Sequence, residues 1–166
     1  PEMSEAHWRQ LEAQLLQSMR EARGSYQLRF LDVAGREVLG IDRRNDSLFL
    51  TPVTDLRQNG NQETFHGAMH LPPGGIHLSG FDLSTEDPLA PAPDRLVSRM
   101  ATPVVDSKGS FKGVLVSHIY PEGLLQALGP LKPIPGVGVF LIDDSERYLA
   151  MERRSGQSIF HVDNLH

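Results

Sequence analysis

Tyr26-Gln27-Leu28-Arg29-Phe30-Leu31, then Asp32-Val33-Ala34-Gly35, then Glu37-Val38-Leu39-Gly40-Ile41-Asp42 is the stretch on which the fold turns. An apolar run with aromatic residues, an Asp/Gly turn and a second alternating run predict an antiparallel β-hairpin. The same grammar returns far downstream. Met100 to Val105 is followed by Asp106-Ser107-Lys108-Gly109 and then by Phe111 to Ile119, a second hairpin. Gly113-Val114-Leu115-Val116-Ser117 is rich in β-branched residues, as a central, well-buried strand requires. Pro103 lacks an N–H and predicts a local irregularity or a free edge in its strand.

Outward from the first hairpin, Trp8, Leu11, Leu15, Met19 and Ala22 recur at spacings of three and four between Ser4 and Arg23. That is one helical stripe, with Ser4 as N-cap and Gly24 as a left-handed stop. The stripe is narrow and needs a partner, either a sheet or the same helix of a second subunit. Between the hairpins, Gln62 to His70 predicts a short helix stopped by Pro72-Pro73-Gly74-Gly75, and Ile76 to Phe81 predicts a strand. Asp87 to Pro93 is proline-rich loop. Pro121 to Leu128 reads as a short helix with Pro in its first turn. A linker over 129–135 precedes Gly136 to Ile142, the turn Asp143 to Glu146 and the return Arg147 to Met151, an echo of the first hairpin. The 31 residues from Gly136 onward are too few for an independent core. The expected organisation is therefore a helix and one lobe over 1–128, the linker 129–135, and the opening hairpin of an incomplete second lobe over 136–166. The fold class is α+β, a long N-terminal helix packed on an antiparallel sheet of about five strands.

Composition narrows the function. The chain has 166 residues, 39% hydrophobic and 22% charged, values of an ordinary globular domain. Sixteen Lys and Arg against 21 Asp and Glu give a net charge of −5, and no basic run favours nucleic acid. Cysteine is absent, which excludes disulfides, thiolate metal sites, Cys nucleophiles and c-type haem attachment. No apolar run approaches the ~20 residues of a membrane helix. The start at Pro1 is compatible with a segment of a larger membrane protein.

The order of these pieces resembles the extracytoplasmic double-Cache (PDC-type, PAS-like) sensor region of bacterial histidine kinases, diguanylate cyclases and chemoreceptors. The resemblance is carried by Tyr26 to Asp32 with Gly35-Arg36-Glu37, by Leu78-Ser79-Gly80-Phe81-Asp82-Leu83, by Arg99 to Asp106, by Gly113 to Val116 and by Phe140-Leu141-Ile142-Asp143. It covers the membrane-distal lobe to about Leu128 and the first hairpin of the proximal one. It implies a ligand-sensing input domain on the periplasmic side of an inner-membrane receptor, membrane-anchored in the full-length protein. Gly40 stands where the family often has Arg, and His118 where amino-acid-binding members hold the ligand ammonium with an Asp. The resemblance therefore points away from amino acids as ligand.

Polar groups on apolar strands are the candidates for chemistry, because burying them is costly unless something satisfies them. His118 alternates with Val116 and Val114 on one strand face and is either a satisfied core histidine or a ligand contact. Arg29 and Arg99 each interrupt an apolar strand. Each needs a carboxylate, supplied by the protein (Asp82 and Asp32 are candidates) or by a ligand. In a PAS-like lobe His77, Ser79, Arg99 and His118 converge. They form the expected ligand site, with Phe65 and Phe81 bounding the helix–loop region beside it. A small polar or anionic molecule would suit it. His66 and His70 have metal-chelating spacing, with His77 close behind, but no acidic partner at a fixed offset, so no metal and no cofactor are expected. Ser79 and Ser117 lack a nucleophile-elbow context, and Gly136-Val137-Gly138 lacks the third glycine of a dinucleotide fingerprint. The N-terminal helix is expected to contribute to a parallel homodimer, and two other readings stand beside the sensor: a ligand-independent dimerisation or signal-relay module, and a His-based metal enzyme.

Overall fold

The computed structural model describes residues 5–57, 62–83, 96–120, 140–142, 147–154 and 157–164. The chain forms two compact units, Pro1–Ser79 with Arg99–Ile119, and Gly80–Ser98 with Tyr120–His166. The first holds α1 (Glu5–Glu21), β1 (Ser25–Leu31), β2 (Glu37–Arg44), β3 (Ser47–Leu50), α2 (Gln62–Met69), β4 (His77–Leu78), most of β6 (Leu96–Val105) and β7 (Phe111–Ile119). Its strands run in the antiparallel order β3-β2-β1-β7-β6-β4, an α+β fold with the two expected hairpins at its centre. The second unit pairs β5 (Asp82–Leu83) with Leu96 and Val97, and carries β8 (Phe140–Ile142), β9 (Arg147–Arg154) and β10 (Gln157–Asn164) in the order β10-β9-β8. The expected hairpin after the linker corresponds to β8 and β9, and β10 adds a third strand. The Ser4 cap, the loop 87–93, the helix 121–128, the linker 129–135 and the turn 143–146 lie outside the described residues.

The two central hairpins close by the same chemistry. Asp32 accepts from the backbone N–H groups of Ala34 (2.8 Å) and Arg36 (3.1 Å), and Gly35 takes φ +77°. Asp106 accepts from Lys108 and Ser110 (both 2.9 Å), and Gly109 takes φ +78°. In each, the Asp side chain organises the turn and the glycine supplies the left-handed residue. Burial works against the Asp32 charge, but the Arg36 guanidinium and the turn N–H groups outweigh it and hold the carboxyl below its usual range. The Ser110 N–H and Lys112 lower Asp106 in the same direction.

The sheet has six strands in this unit rather than about five. The extra one is β3, joined to β2 by Asn45 (φ 47°) and Asp46 (φ 64°). Two consecutive left-handed residues make the tight turn that suits a two-residue hairpin. Of the strand expected over 76–81, only β4 at His77–Leu78 forms, and the separate β5 follows it. Ser79 still continues the ladder from β4, its N–H reaching the Arg99 carbonyl at 2.9 Å.

Each face of the sheet carries its own core. On one, Leu15 and Met19 of α1 pack on Leu28, Phe30, Leu39 and Ile41, with Trp8, Leu11 and Leu16 at the margin; Trp8 meets Phe30 edge-on at 6.4 Å. The apolar stripe of α1 is thus covered by the sheet of its own chain. Its end departs from expectation. Gly24 does not take positive φ. Arg43 of β2 instead donates to the carbonyls of Met19, Ala22 (3.3 Å) and Ser25 (2.9 Å), satisfying the helix end from the sheet. On the other face, Phe65 and Ala68 of α2 pack with Leu31, Ala101, Val114 and Val116.

Gly113 is the tightest point of the sheet. It holds φ +146°, and a Cβ there would lie 2.0 Å from the Leu31 carbonyl oxygen of the neighbouring strand. Backbone cannot give way as a side chain can. Gly113→Ala should therefore cost about 3 kcal/mol or more in urea unfolding. Gly109→Ala, at φ +78° with open space around it, should cost only about 1–2 kcal/mol.

Candidate functional site

The α2 side of the sheet is where buried charge collects. Strand alternation sends Leu28 and Phe30 toward α1 and Arg29 to the opposite face, across from Gly40. A Cβ on Gly40 would meet Thr51 Oγ1 at 2.5 Å and Arg29 Nη1 at 3.0 Å, so the glycine makes the space the guanidinium occupies. Arg29 Nη2 donates to Asp42 Oδ1 at 2.6 Å, and Nη1 donates to the carbonyls of Leu28 (3.1 Å) and Ile41 (3.2 Å). Its Nε lies 3.6 Å from Glu37 Oε2. Thr51 donates to Asp42 Oδ2 (2.8 Å) and the Arg57 N–H to Glu37 Oε2 (3.1 Å). All three charged residues are buried. The partners of Arg29 are therefore Asp42 and Glu37, not the candidates Asp32 and Asp82; Asp32 is engaged by Arg36 in its own turn, at 2.7 Å and 2.9 Å. Removing one partner of such a buried pair costs about 3–5 kcal/mol.

Two register shifts enrich this face. Between Phe30 and Leu31 the pairing skips Val38, so Glu37 lies opposite Leu31 and beside Arg29. Between Ser25 and Gln27 a second shift sets Tyr26 against His118, ring centroids 5.9 Å apart and perpendicular. Strict alternation would have sent both residues toward α1. A β-bulge re-aims side chains in this way.

His118 shares its face with Val116 and Val114, as expected from alternation, and is 9% exposed. Its Nε2 is buried and has no hydrogen-bond partner among the described residues. Burial, reinforced by the guanidiniums of Arg99, Arg29 and Arg57, pushes its pKa down to about 3, so the ring is neutral at pH 7.

The other expected site residues fall as follows. Arg99 lies on β6, next to β7 in the sheet, and its N–H donates to Ser79 Oγ at 2.9 Å. His77 pairs with Ala101, and its ring lies against Gly67 of α2, where a Cβ would come within 2.4 Å of it. Phe65 is core, edge-on to Phe111 at 6.4 Å. Phe81 belongs to the second unit. His66 is exposed on α2, while His70 falls just past its end at Met69. Among the described residues no group of three or more His, Asp or Glu is placed to hold a metal ion. Tyr26, Arg57, Glu37 and Asp42 were not anticipated for this face. Of these only Asp42, a charge inside an alternating strand on the same parity as Gly40, carried a sequence signal.

No protein-family profile and no curated protein matches the chain. Solved structures do. A domain assigned to a sensory box/GGDEF family protein of Vibrio parahaemolyticus superimposes with TM-score 0.64 at 23% identity, over 92% of this chain and 57% of that one. The extracellular domain assigned to the histidine kinase vpHK1S-Z8 gives 0.62 at 23% identity, over 89% of this chain and 52% of that one. The chain spans a little over half the length of each, and at this identity the likeness is one of fold: PAS-like α+β.

The His118 environment sets a pH dependence. Its folded pKa lies below the unfolded value of 6.5, so between about pH 6.5 and 3 the unfolded chain binds the extra proton. Stability therefore falls as pH falls through that window. From pH 7.5 to 5.0 this one group should remove about 2 kcal/mol. Urea unfolding at the two pH values should show that loss in the wild type and not in His118→Phe.

Proposed function

We propose that this chain is the extracytoplasmic ligand-sensing input domain of a bacterial membrane-bound signalling receptor, of the double-Cache type. In this reading residues 1–128 form the membrane-distal lobe, 129–135 a linker and 136–166 the start of a proximal lobe. The domain binds a small polar or anionic molecule and passes a conformational shift to an output domain across the membrane. It performs no chemistry itself.

One observation carries the reading: a buried, neutral imidazole nitrogen without a partner among the described residues, in the field of three guanidiniums. Such a nitrogen is costly to leave unsatisfied. An anion beside it would accept a hydrogen bond from the ring in its Nε2–H tautomer, on the same face of the sheet as the Arg29 guanidinium. His118 and Arg99 are the proposed ligand contacts, with His77, Ser79 and Phe65 of the same unit around them. The fold likeness to domains of signalling proteins supports the same reading. Binding switches the domain only if the ligand prefers one of two arrangements.

The test is thermal unfolding with a panel of small carboxylates, inorganic phosphate and sulfate. A ligand present at 100 times its Kd stabilises by about 2.7 kcal/mol, a shift of several degrees. The gain should vanish in His118→Ala and Arg99→Ala. If no anion shifts the midpoint, and cations or neutral solutes fail as well, the ligand-independent relay module takes the sensor's place.

Pairing of the receptor through α1 belongs to the same proposal. With the Trp8–Met19 stripe covered by the sheet, the contact falls to the exposed, uncharged row Ala6, Gln10, Ala13 and Gln17, in which the two alanines permit close helix approach. Ala13→Arg should shift a dimer to monomer in sedimentation without changing the unfolding midpoint by more than about 0.5 kcal/mol. A chain that sediments as a monomer at high concentration before substitution contradicts this contact.

A further inference from the structure

On the α1 side of the sheet, away from His118, an open cleft of 760 Å³ lies between the C-terminal half of α1 and β3. It is lined by Leu16, Arg20, Arg23, Arg43, Asp46 and the four residues of β3. We propose that it is a second binding site, for an amphipathic monoanion with a carboxylate head and an aliphatic body of medium length.

The floor comes from register. Leu48 pairs with Arg43 and Leu50 with Ile41, which places both leucines on the face that α1 covers farther in. At the edge of the sheet Leu16 is the apolar side chain that the helix brings to the cleft, and Leu50 stays 45% exposed. An aliphatic chain laid there would bury Leu16, Leu48 and Leu50 together.

The head-group selection comes from charge. Three arginines face one aspartate, a local +2 on a chain whose net charge is −5. The carbonyls at the end of α1 would repel an anion, but Arg43 already caps those of Met19 and Ala22. Arg20 and Arg23 are exposed and form no ion pair among the described residues, so both guanidiniums are available for fork-like recognition of a carboxylate. The volume lies within the range of small-molecule sites. A second copy of the chain is the poorer occupant, because it would bring one arginine cluster against another.

The probes are decanoate and decyltrimethylammonium, both below their micellar concentrations, followed by titration calorimetry and backbone amide shifts of the 166-residue chain. Saturable decanoate binding is expected, with shifts at Leu16, Arg20 and Ser47–Leu50. Affinity should fall at least tenfold in the Arg20→Glu/Arg23→Glu double variant, checked for an unchanged thermal midpoint, and should be unaffected in His118→Ala. The site is refuted if decanoate does not saturate. Equal affinity for the cationic amphiphile would also overturn it, because the cleft would then be an apolar patch without charge selection. So would shifts confined to the His118 face, or amide protection at Arg20 and Ser47–Leu50 that rises with protein concentration in the unliganded chain and so marks this edge as a contact between copies.

Discussion

The buried pairing of Arg29 with Asp42 and Glu37 is the constraint around which this lobe is built. One guanidinium ties β1 to both ends of β2. Asp42 in turn holds Thr51 beyond β3, and Glu37 holds the backbone of Arg57. Burying three charges is tolerable only because their hydrogen bonds are met within the cluster. That requirement fixes the register of the first hairpin more narrowly than apolar packing would, since sliding β1 by one residue would turn Arg29 into the Leu28–Phe30 core.

The same constraint divides the sheet into unlike faces. Under α1 the contacts are almost wholly apolar, and the nearest charge, Arg43, is spent on the helix end. Under α2 the core of Leu31, Phe65, Ala68, Val114 and Val116 grades into Arg29, Arg99, Tyr26 and His118. A fold needs no such polar layer to be stable. Its presence on the face that also holds the imidazole Nε2 without a hydrogen-bond partner among the described residues is the reason to look for the sensing site there.

Much of this was legible in the sequence, and the rest was hidden for identifiable reasons. The hairpins could be read because Asp32 and Asp106 each precede a glycine by three residues, and that pattern closes a turn by local hydrogen bonds alone. The α1 stripe and the parity of His118 followed from periodicity. By contrast, β3 follows an Asn45-Asp46 turn without the glycine that usually announces one. The end of α1 depends on Arg43, a residue of another element, so no local signal could replace Gly24 as its stop. Tyr26 and Glu37 reach the candidate site through register shifts, and a shift is a property of two strands together. Asp32 was a plausible partner for Arg29 by proximity in sequence. The pair that forms is set by β-pairing across the hairpin.

The central claim is that His118 Nε2 is a ligand contact rather than an internal structural group. A crystal structure of the protein purified without denaturation, and soaked with the anion that most raises its unfolding midpoint, tests this most directly. The account predicts density for that anion within hydrogen-bond distance of His118 Nε2 and close to the Arg99 guanidinium. A structure in which Nε2 instead donates to a carbonyl or carboxylate of the chain itself, with the anion elsewhere or unbound, would contradict it.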